Sequence, residues 1–91
     1  MKKSPSDSWF VYMLRCADGS LYTGITKDLN RRCELHNAGT ASRYTRSHLP
    51  VKLVYQESLP SRSLALKREA VIKSLSRQEK LALIRLRQKA R

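Results

Sequence analysis

Residues 9–26 read WFVYMLRCADGSLYTGIT, and this stretch contains the strongest secondary-structure signal in the chain. Its first part, residues 9–14, is an aromatic and β-branched run without polar alternation, which is typical of a strand buried on both faces. An Asp-Gly pair at residues 18 and 19 predicts a turn, and residues 21–26 return as the second strand of a hairpin. Within that strand, Gly24 predicts a close backbone approach or a bulge.

The middle of the chain predicts one helix, an ordered loop and a third strand. Asp28 is a suitable N-cap for a helix that ends at residues 37–39, where Gly39 provides a C-terminal stop. Residues 40–50 are polar, and we expect an ordered loop there because residues 51–55 resume a strand pattern.

Apolar residues beyond Pro60 recur with a period of 3.6 and predict two helices. The first helix begins at Ser61 or Ser63, and Ser76 with Glu79 forms an S-x-x-E capping box for the second. The stripe predicted to pack inward from the first helix consists of Leu64, Ala65, Val71, Ile72 and Leu75.

The order of elements, β-β-α-β-α-α, predicts an α/β fold. We expect a two-layer sandwich in which a small three-stranded, mainly antiparallel sheet is flanked by helices. The predicted single core comprises residues 9–14, Leu53, Val71, Ile72, Leu75, Leu81 and Ile84.

Length and charge limit what this chain can do. Its 91 residues predict a single domain over residues 1–91, ordered from about residue 8 to about residue 86 and frayed at residues 1–7 and 87–91. There are 19 Lys and Arg against 7 Asp and Glu, a net charge of +12. Such a field concentrates polyanions, so nucleic acid is the leading partner and an anionic membrane surface the second.

The sequence predicts no membrane span, because no apolar run approaches the ~20 residues that a spanning helix needs. Polar residues 4–8 stand where the apolar part of a signal peptide would begin, so a cytoplasmic location is expected. Cys16 and Cys33 are expected to be reduced thiols. A zinc site formed by them with His36 and His48 is disfavoured, because spacings of 17, 3 and 12 residues match no usual zinc pattern.

Five side chains are candidates for chemistry, although each has an ordinary structural explanation when taken alone. Tyr12 and Tyr22 lie on adjacent strands of the hairpin, where phenols usually serve packing. Arg32 and His36 share a helix face at i, i+4 spacing, as in many solvated cationic faces. Glu69 lies among Lys and Arg residues and has the surroundings of a local salt-bridge partner.

The combination is more specific than its members. Residues 11–13 (VYM), residues 22–24 (YTG), residues 28–36 (DLNRRCELH) and the helical Glu69 together resemble the GIY-YIG nuclease family. The resemblance covers residues 9–75. The last helix is similar to that of the small stand-alone bacterial members of the family, the UPF0213-like group.

The resemblance implies a metal-dependent endonuclease that hydrolyses DNA to products with a 5′-phosphate and a 3′-hydroxyl. Glu69 would be the only protein carboxylate on a single Mg²⁺ or Mn²⁺. Tyr22 would orient or deprotonate the attacking water, with Tyr12 as its partner. Arg32 would contact the scissile phosphate, and His36 would assist by proton transfer or phosphate contact.

Several other residues are candidates for contact with nucleic acid. Gly24 would let the second strand pass close to the substrate backbone. Arg43 and Arg46 flank Tyr44, whose ring could stack on an unpaired base, although packing on the edge of the sheet explains it as well. The remaining candidates are Lys27, Arg31 and Lys73. No base-reading motif is present, so we expect selectivity for nucleic-acid structure, as in DNA repair or recombination.

One departure from the family pattern keeps other functions open. Many catalytic members have an asparagine one helix-length after the metal-binding glutamate, whereas this chain has only Asn30 and Asn37. The alternatives are a non-catalytic nucleic-acid-binding module of the same fold, and an accessory subunit whose basic helices bind a protein or RNA. DNA is the expected substrate rather than RNA, and a protein partner is a candidate source of specificity.

Overall fold

A three-stranded antiparallel sheet organises the chain in the computed structural model, which describes residues 8–89. The strands are β1 (Trp9–Arg15), β2 (Leu21–Thr26) and β3 (Lys52–Leu59), in the spatial order β2-β1-β3. The predicted central position of β1 is confirmed, and its lack of polar alternation follows because helices cover both of its faces. The predicted fraying of residues 1–7 lies outside the described residues.

Four helices accompany the sheet: α1 (Leu29–Asn37), α2 (Arg43–Arg46), α3 (Arg62–Lys73) and α4 (Arg77–Lys89). The predicted α/β class and the order of the long elements are confirmed. Among the helices of residues 8–89, none combines the length and hydropathy needed to cross a membrane.

Side-chain caps place the helix starts where the sequence predicts them. The Asp28 carboxylate accepts a hydrogen bond from the backbone N–H of Arg31 at 3.1 Å and starts α1. Ser61, rather than Ser63, caps α3. At α4 both hydrogen bonds of the capping box form, because Glu79 N–H donates to Ser76 Oγ at 3.1 Å and Ser76 N–H donates to Glu79 Oε1 at 2.8 Å.

Three boundaries differ from the prediction. Residues 40–50 are not only loop, since Ser42 accepts a hydrogen bond from Tyr44 N–H and caps the single turn of α2, which is too short to show periodicity. Strand β3 continues to Leu59 because polar side chains are tolerated in a strand at the edge of the sheet. Helix α4 includes residues 87–89, which were expected to fray, whereas residues 90–91 lie outside the described part.

The sheet has a hydrophobic core on each face, where the sequence predicts a single core between two layers. Alternate residues of β1 point to opposite faces, so Val11 and Met13 belong to one core and Tyr12 and Leu14 to the other. The first core packs against Ala65, Ile72 and Ile84 of α3 and α4. The second contains Cys16 and Val51 and packs against Leu29 and Cys33 of α1.

Helix α3 is rotated relative to the predicted stripe. Ala65 and Ile72 are fully buried, whereas Leu64 and Val71 are 43% and 49% exposed. Apolar residues occupy two neighbouring rows of this helix, so the pattern alone allows either row to face the sheet. The observed rotation puts Glu69, four residues after Ala65 and three before Ile72, on the inward side, where its side chain is 17% exposed.

Candidate active site

A buried hydrogen-bonded chain forms the base of the site. The Tyr12 hydroxyl lies 3.0 Å from His36 Nε2, and His36 Nδ1 lies 2.7 Å from Thr45 Oγ1. Tyr12, His36 and Thr45 are each at most 2% exposed. Strand β1, helix α1 and the single turn of α2 are therefore joined at one point.

Burial sets the protonation states along this chain. Burial, and next the proximity of Tyr22, raises the pKa of Tyr12 above its ordinary value, so its phenol keeps its proton and donates to His36 Nε2. Burial, and next the proximity of Arg32, lowers the pKa of His36, so its ring is neutral. A neutral imidazole has one N–H. Because the Thr45 hydroxyl donates to the Ser42 carbonyl at 3.4 Å, we infer that this N–H is on Nδ1 and donates to Thr45 Oγ1, which leaves Nε2 to accept from Tyr12.

Tyr22 lies between this buried chain and the surface. Its ring centroid is 5.1 Å from that of His36 and 6.5 Å from that of Tyr12. Its ring is also nearly parallel to that of Tyr44, with an interplanar angle of 16°. Tyr22 is half-buried, and it is therefore the more accessible of the two candidate phenols.

Arg32 and Glu69 complete the site from two different helices. Both are close enough to Tyr12 to act on its pKa, the guanidinium lowering it and the carboxylate raising it. Arg32 is half-buried on α1. Glu69 Oε2 lies 3.3 Å from Lys73 Nζ in an i, i+4 ion pair on α3. The structure thus brings the rings of Tyr12, Tyr22 and His36 together, with centroids 5.1–6.5 Å apart, and puts Arg32 and Glu69 within electrostatic range of Tyr12.

A second network, at the hairpin turn, was not predicted. Asp18 Oδ1 accepts hydrogen bonds from the backbone N–H of Ser20 at 3.0 Å and its hydroxyl at 2.6 Å, and the Tyr44 hydroxyl donates to Ser20 Oγ at 2.6 Å. His48 Nε2 lies 3.4 Å from Asp18 Oδ2. The only sequence signal for this network was the turn itself, because its partners come from the separate segment 42–48.

Tyr44 therefore has packing partners of its own. Its ring is nearly parallel to that of His48, with centroids 4.3 Å apart, so His48 covers one of its faces. Tyr44 is nevertheless 42% exposed, and its stacking on an unpaired base stays a prediction. Sequence reasoning also missed Thr45, since no periodic or motif signal distinguishes a buried threonine in so short a helix.

The other predicted contact residues fall in separate places. Lys27 and Arg31 are exposed beside Arg32 and line one cleft with it. Arg43 and Arg46 are exposed on α2, at a second open cleft. Lys73 is exposed and paired with Glu69.

The donor set suits a hard divalent cation held by one carboxylate. Among residues 8–89 there is no group of three His, Cys, Asp or Glu placed to enclose a metal. Glu69 is an oxygen donor turned inward, and Mg²⁺ commonly takes one or two carboxylates and completes its shell with water and phosphate. Cys33 does not suit a thiolate ligand, because burial raises the pKa of its thiol.

Gly24 packs directly against Tyr12, so the absence of a side chain at this position serves the packing of Tyr12. The sequence had suggested that it serves the approach of the substrate backbone. A Cβ at this position would lie 2.6 Å from Tyr12 Oη. Because the Tyr12 ring is buried and bonded to His36, we expect Gly24→Ala to destabilise the fold by about 1–3 kcal/mol. Urea unfolding measures this loss, and a free energy equal to that of the unmodified chain would contradict the packing role.

Thr45→Val tests the hydrogen-bonded chain. It leaves His36 Nδ1–H without an acceptor, and we expect a loss of about 1–3 kcal/mol in stability together with a mixture of His36 tautomers. Nitrogen-15 NMR of the imidazole distinguishes the tautomers. Thr45→Ser is the control and should keep the Nδ1–H form. An unchanged tautomer in Thr45→Val would show that Thr45 does not orient the ring.

The sheet with its flanking helices, in the order β-β-α-β-α-α, is the architecture of one class of catalytic domain. The family model described as the GIY-YIG catalytic domain matches residues 8–82. The chain therefore belongs to the GIY-YIG family, a nuclease family, and the resemblance noted in the sequence is confirmed.

Relatives place the chain near a particular group within that family. A UPF0213 protein of Staphylococcus aureus strain Mu3 is 56% identical over 81 residues, which are 89% of this chain and 99% of the relative. The solution structure of the UPF0213 protein BH0048 from Bacillus halodurans matches with 42% identity and a TM-score of 0.57, over 87% of this chain and 84% of that one. Protein EF2693 from E. faecalis matches with 36% identity and a TM-score of 0.60, over 97% and 93%.

Proposed function

We propose that this protein is a metal-dependent endonuclease that hydrolyses DNA phosphodiester bonds to 5′-phosphate and 3′-hydroxyl ends. One observation carries the proposal. The buried Tyr12 is hydrogen-bonded to His36 at 3.0 Å, its ring centroid lies 6.5 Å from that of Tyr22, and the charges of Arg32 and Glu69 are within electrostatic range of it. These groups match the needs of phosphodiester hydrolysis, which are an oriented nucleophile, neutralised phosphate charge and a site for a cation.

Glu69 would hold the Mg²⁺ or Mn²⁺. When bound, such an ion neutralises phosphate charge and stabilises the leaving 3′-oxygen. The Glu69 side chain is only 17% exposed, and its Oε2 is held 3.3 Å from the exposed Lys73 Nζ, so its freedom to move into solvent is limited. A metal ion on Glu69 would release Lys73 from its ion pair with that carboxylate. The Lys73 ammonium would then be free to bind a neighbouring phosphate.

Arg32 would bind the scissile phosphate through its planar guanidinium. The fork of N–H donors suits two phosphate oxygens, and it can follow the charge that grows on them in the transition state. Its place on α1 puts this positive charge within electrostatic range of Tyr12 and His36.

The two tyrosines would have different tasks. Tyr12 would keep its proton and donate a hydrogen bond to His36 Nε2, which disfavours it as the base. Tyr22, half-buried and close to both, is the phenol left to orient or deprotonate the attacking water. His36 has both nitrogens engaged and is 1% exposed, so it would act through Tyr12 as a positioning residue rather than on phosphate.

The substrate would be DNA of a particular structure, in repair or recombination, with a protein partner as a further source of specificity. Lys27, Arg31 and Arg32 meet at one cleft, and none of the three belongs to an ion pair within residues 8–89. Cations of this kind bind phosphates of any sequence, which supports selection by shape rather than by base.

Cleavage of a labelled panel tests the proposal. Single-stranded, duplex, flap and four-way-junction DNA are incubated with the protein and Mg²⁺ or Mn²⁺, beside an EDTA control and an RNA strand. The expected result is metal-dependent product bearing 5′-phosphate. Salt-sensitive binding without cleavage of any substrate would favour a non-catalytic nucleic-acid-binding module. The lack of an asparagine after Glu69 in this sequence is consistent with that alternative.

A further inference from the structure

Trp9, the only tryptophan of the chain, lies at an open cleft beside the candidate active site. The cleft measures about 370 Å³, and we call it the Trp9 cleft. It is lined chiefly by Trp9, Lys27, Asp28, Arg31 and Arg32. Because Arg32 belongs both to the cleft and to the site around Tyr12, a ligand in the cleft continues directly into that site.

The Trp9 ring is surrounded by positive charge. Lys27 Nζ lies 5.7 Å from the ring centroid and the Arg62 guanidinium carbon lies 5.8 Å from it. Trp9 is half-buried and packs against the first core, so only the outer part of its ring is available to a ligand. Both cations are exposed, and both distances are near the outer limit of cation–π attraction, so a better partner can displace them from the ring.

The cleft has little negative charge to offset these cations. Lys27 and Arg31 of the lining, and Arg62, which lies over the Trp9 ring outside the lining, form no ion pair with the acids of residues 8–89. Asp28 is the one acid in the lining, and its carboxylate accepts the N–H of Arg31 as the N-cap of α1. The cleft thus joins an aromatic face to several unneutralised cations, which suits a ligand that has both a planar group and phosphates.

We infer that the Trp9 cleft binds an unpaired nucleotide next to the cleavage site, with its base on Trp9 and its flanking phosphates on Lys27, Arg31 and Arg62. This inference rests on the proposed function and extends it by naming the substrate class, DNA with a single-stranded segment at the cut. In a duplex the base faces are stacked on their neighbours, so only a strand that has left the duplex presents a base to Trp9.

Indole fluorescence tests the inference directly, because Trp9 accounts for all of the tryptophan emission. Protein in EDTA is titrated with a single-stranded oligomer of thymidines and with a blunt duplex of the same length, while fluorescence anisotropy of labelled DNA measures binding separately. We expect the single strand to quench Trp9 strongly and the duplex to quench it weakly. If anisotropy shows that the single strand binds while Trp9 emission stays constant, the inference about the Trp9 cleft is wrong. The proposed nuclease function would not be affected by that result.

Two variants make the test independent of fluorescence. Trp9→Leu should weaken single-strand binding about tenfold, the effect of losing one base stack, and circular dichroism checks its fold. The double variant Lys27→Ala, Arg62→Ala changes only exposed side chains, and it should weaken the single strand more than the duplex. The matched control Lys52→Ala, Arg85→Ala removes two exposed cations outside the cleft. Equal losses on single strand and duplex would overturn the inference, and absence of all DNA binding would overturn the proposed function as well.

Discussion

Glu69→Gln should abolish metal-dependent cleavage while leaving the fold and DNA binding in place. The amide keeps the size of the side chain but lacks the charge that holds a divalent ion. A metal ion contributes several kcal/mol to transition-state stabilisation, so we expect the cleavage rate to fall by about three decades. Single-turnover cleavage at saturating protein, in Mg²⁺ and in Mn²⁺, measures the loss.

The surroundings of Glu69 make this variant interpretable. Its carboxylate is paired only with Lys73 among the ion pairs of residues 8–89, and i, i+4 pairs with an exposed lysine contribute little to stability. Glu34→Gln is the matched control, since Glu34 is an exposed glutamate in the middle of α1. If the Glu69→Gln protein still cleaves within about threefold of the unmodified rate, Glu69 is not a metal ligand.

Arg32→Ala should lower the cleavage rate by about 10²- to 10³-fold, the usual cost of losing one donor to a developing negative charge. DNA affinity should fall far less, because many other cations of this chain remain to hold phosphates. Arg32→Lys should recover only part of the rate, since an ammonium cannot fork onto two oxygens. If the cleavage rate and the DNA affinity fell by the same factor, Arg32 would contribute to DNA binding only.

An independent readout accompanies Arg32→Ala. Arg32 contributes, after burial itself, to lowering the pKa of His36. Removing the guanidinium should therefore raise the pKa of His36 toward its ordinary value, and NMR titration of the imidazole measures the change without any cleavage. Arg85→Ala, on the exposed side of α4, should leave it unchanged. An unmoved His36 pKa in Arg32→Ala would place Arg32 farther from the buried chain than the structure has it.

Local patterns were sufficient for most elements of the fold. The apolar run of β1 identified the central strand, because only a strand covered on both faces needs apolar residues at successive positions. Asp28, Ser61 and the Ser76–Glu79 box marked helix starts, since each cap is a contact between residues two or three positions apart. Helix α2 was not predicted, because its four residues contain barely one helical period.

The rotation of α3 could not be read from the sequence. Two apolar rows, one through Leu64 and Val71 and the other through Ala65 and Ile72, compete for the sheet. Packing against β1 and β2 selects the second row and carries Glu69 inward with it. A residue that looks like a surface partner of Lys73 in the sequence thereby becomes part of the site.

The resemblance to the family was enough to gather Tyr12, Tyr22, Arg32, His36 and Glu69 as candidates. Two of them lie across one hairpin and two on one helix, but Glu69, on α3, was linked to them by the family pattern alone. The different roles proposed for these residues depend on their burial and on contacts between distant parts of the chain. His36 is orientated by Thr45, and Tyr12 keeps its proton because Gly24 and α1 enclose it. A pKa and a tautomer depend on everything that surrounds a group in three dimensions, and residues far apart in the chain supply most of those surroundings here.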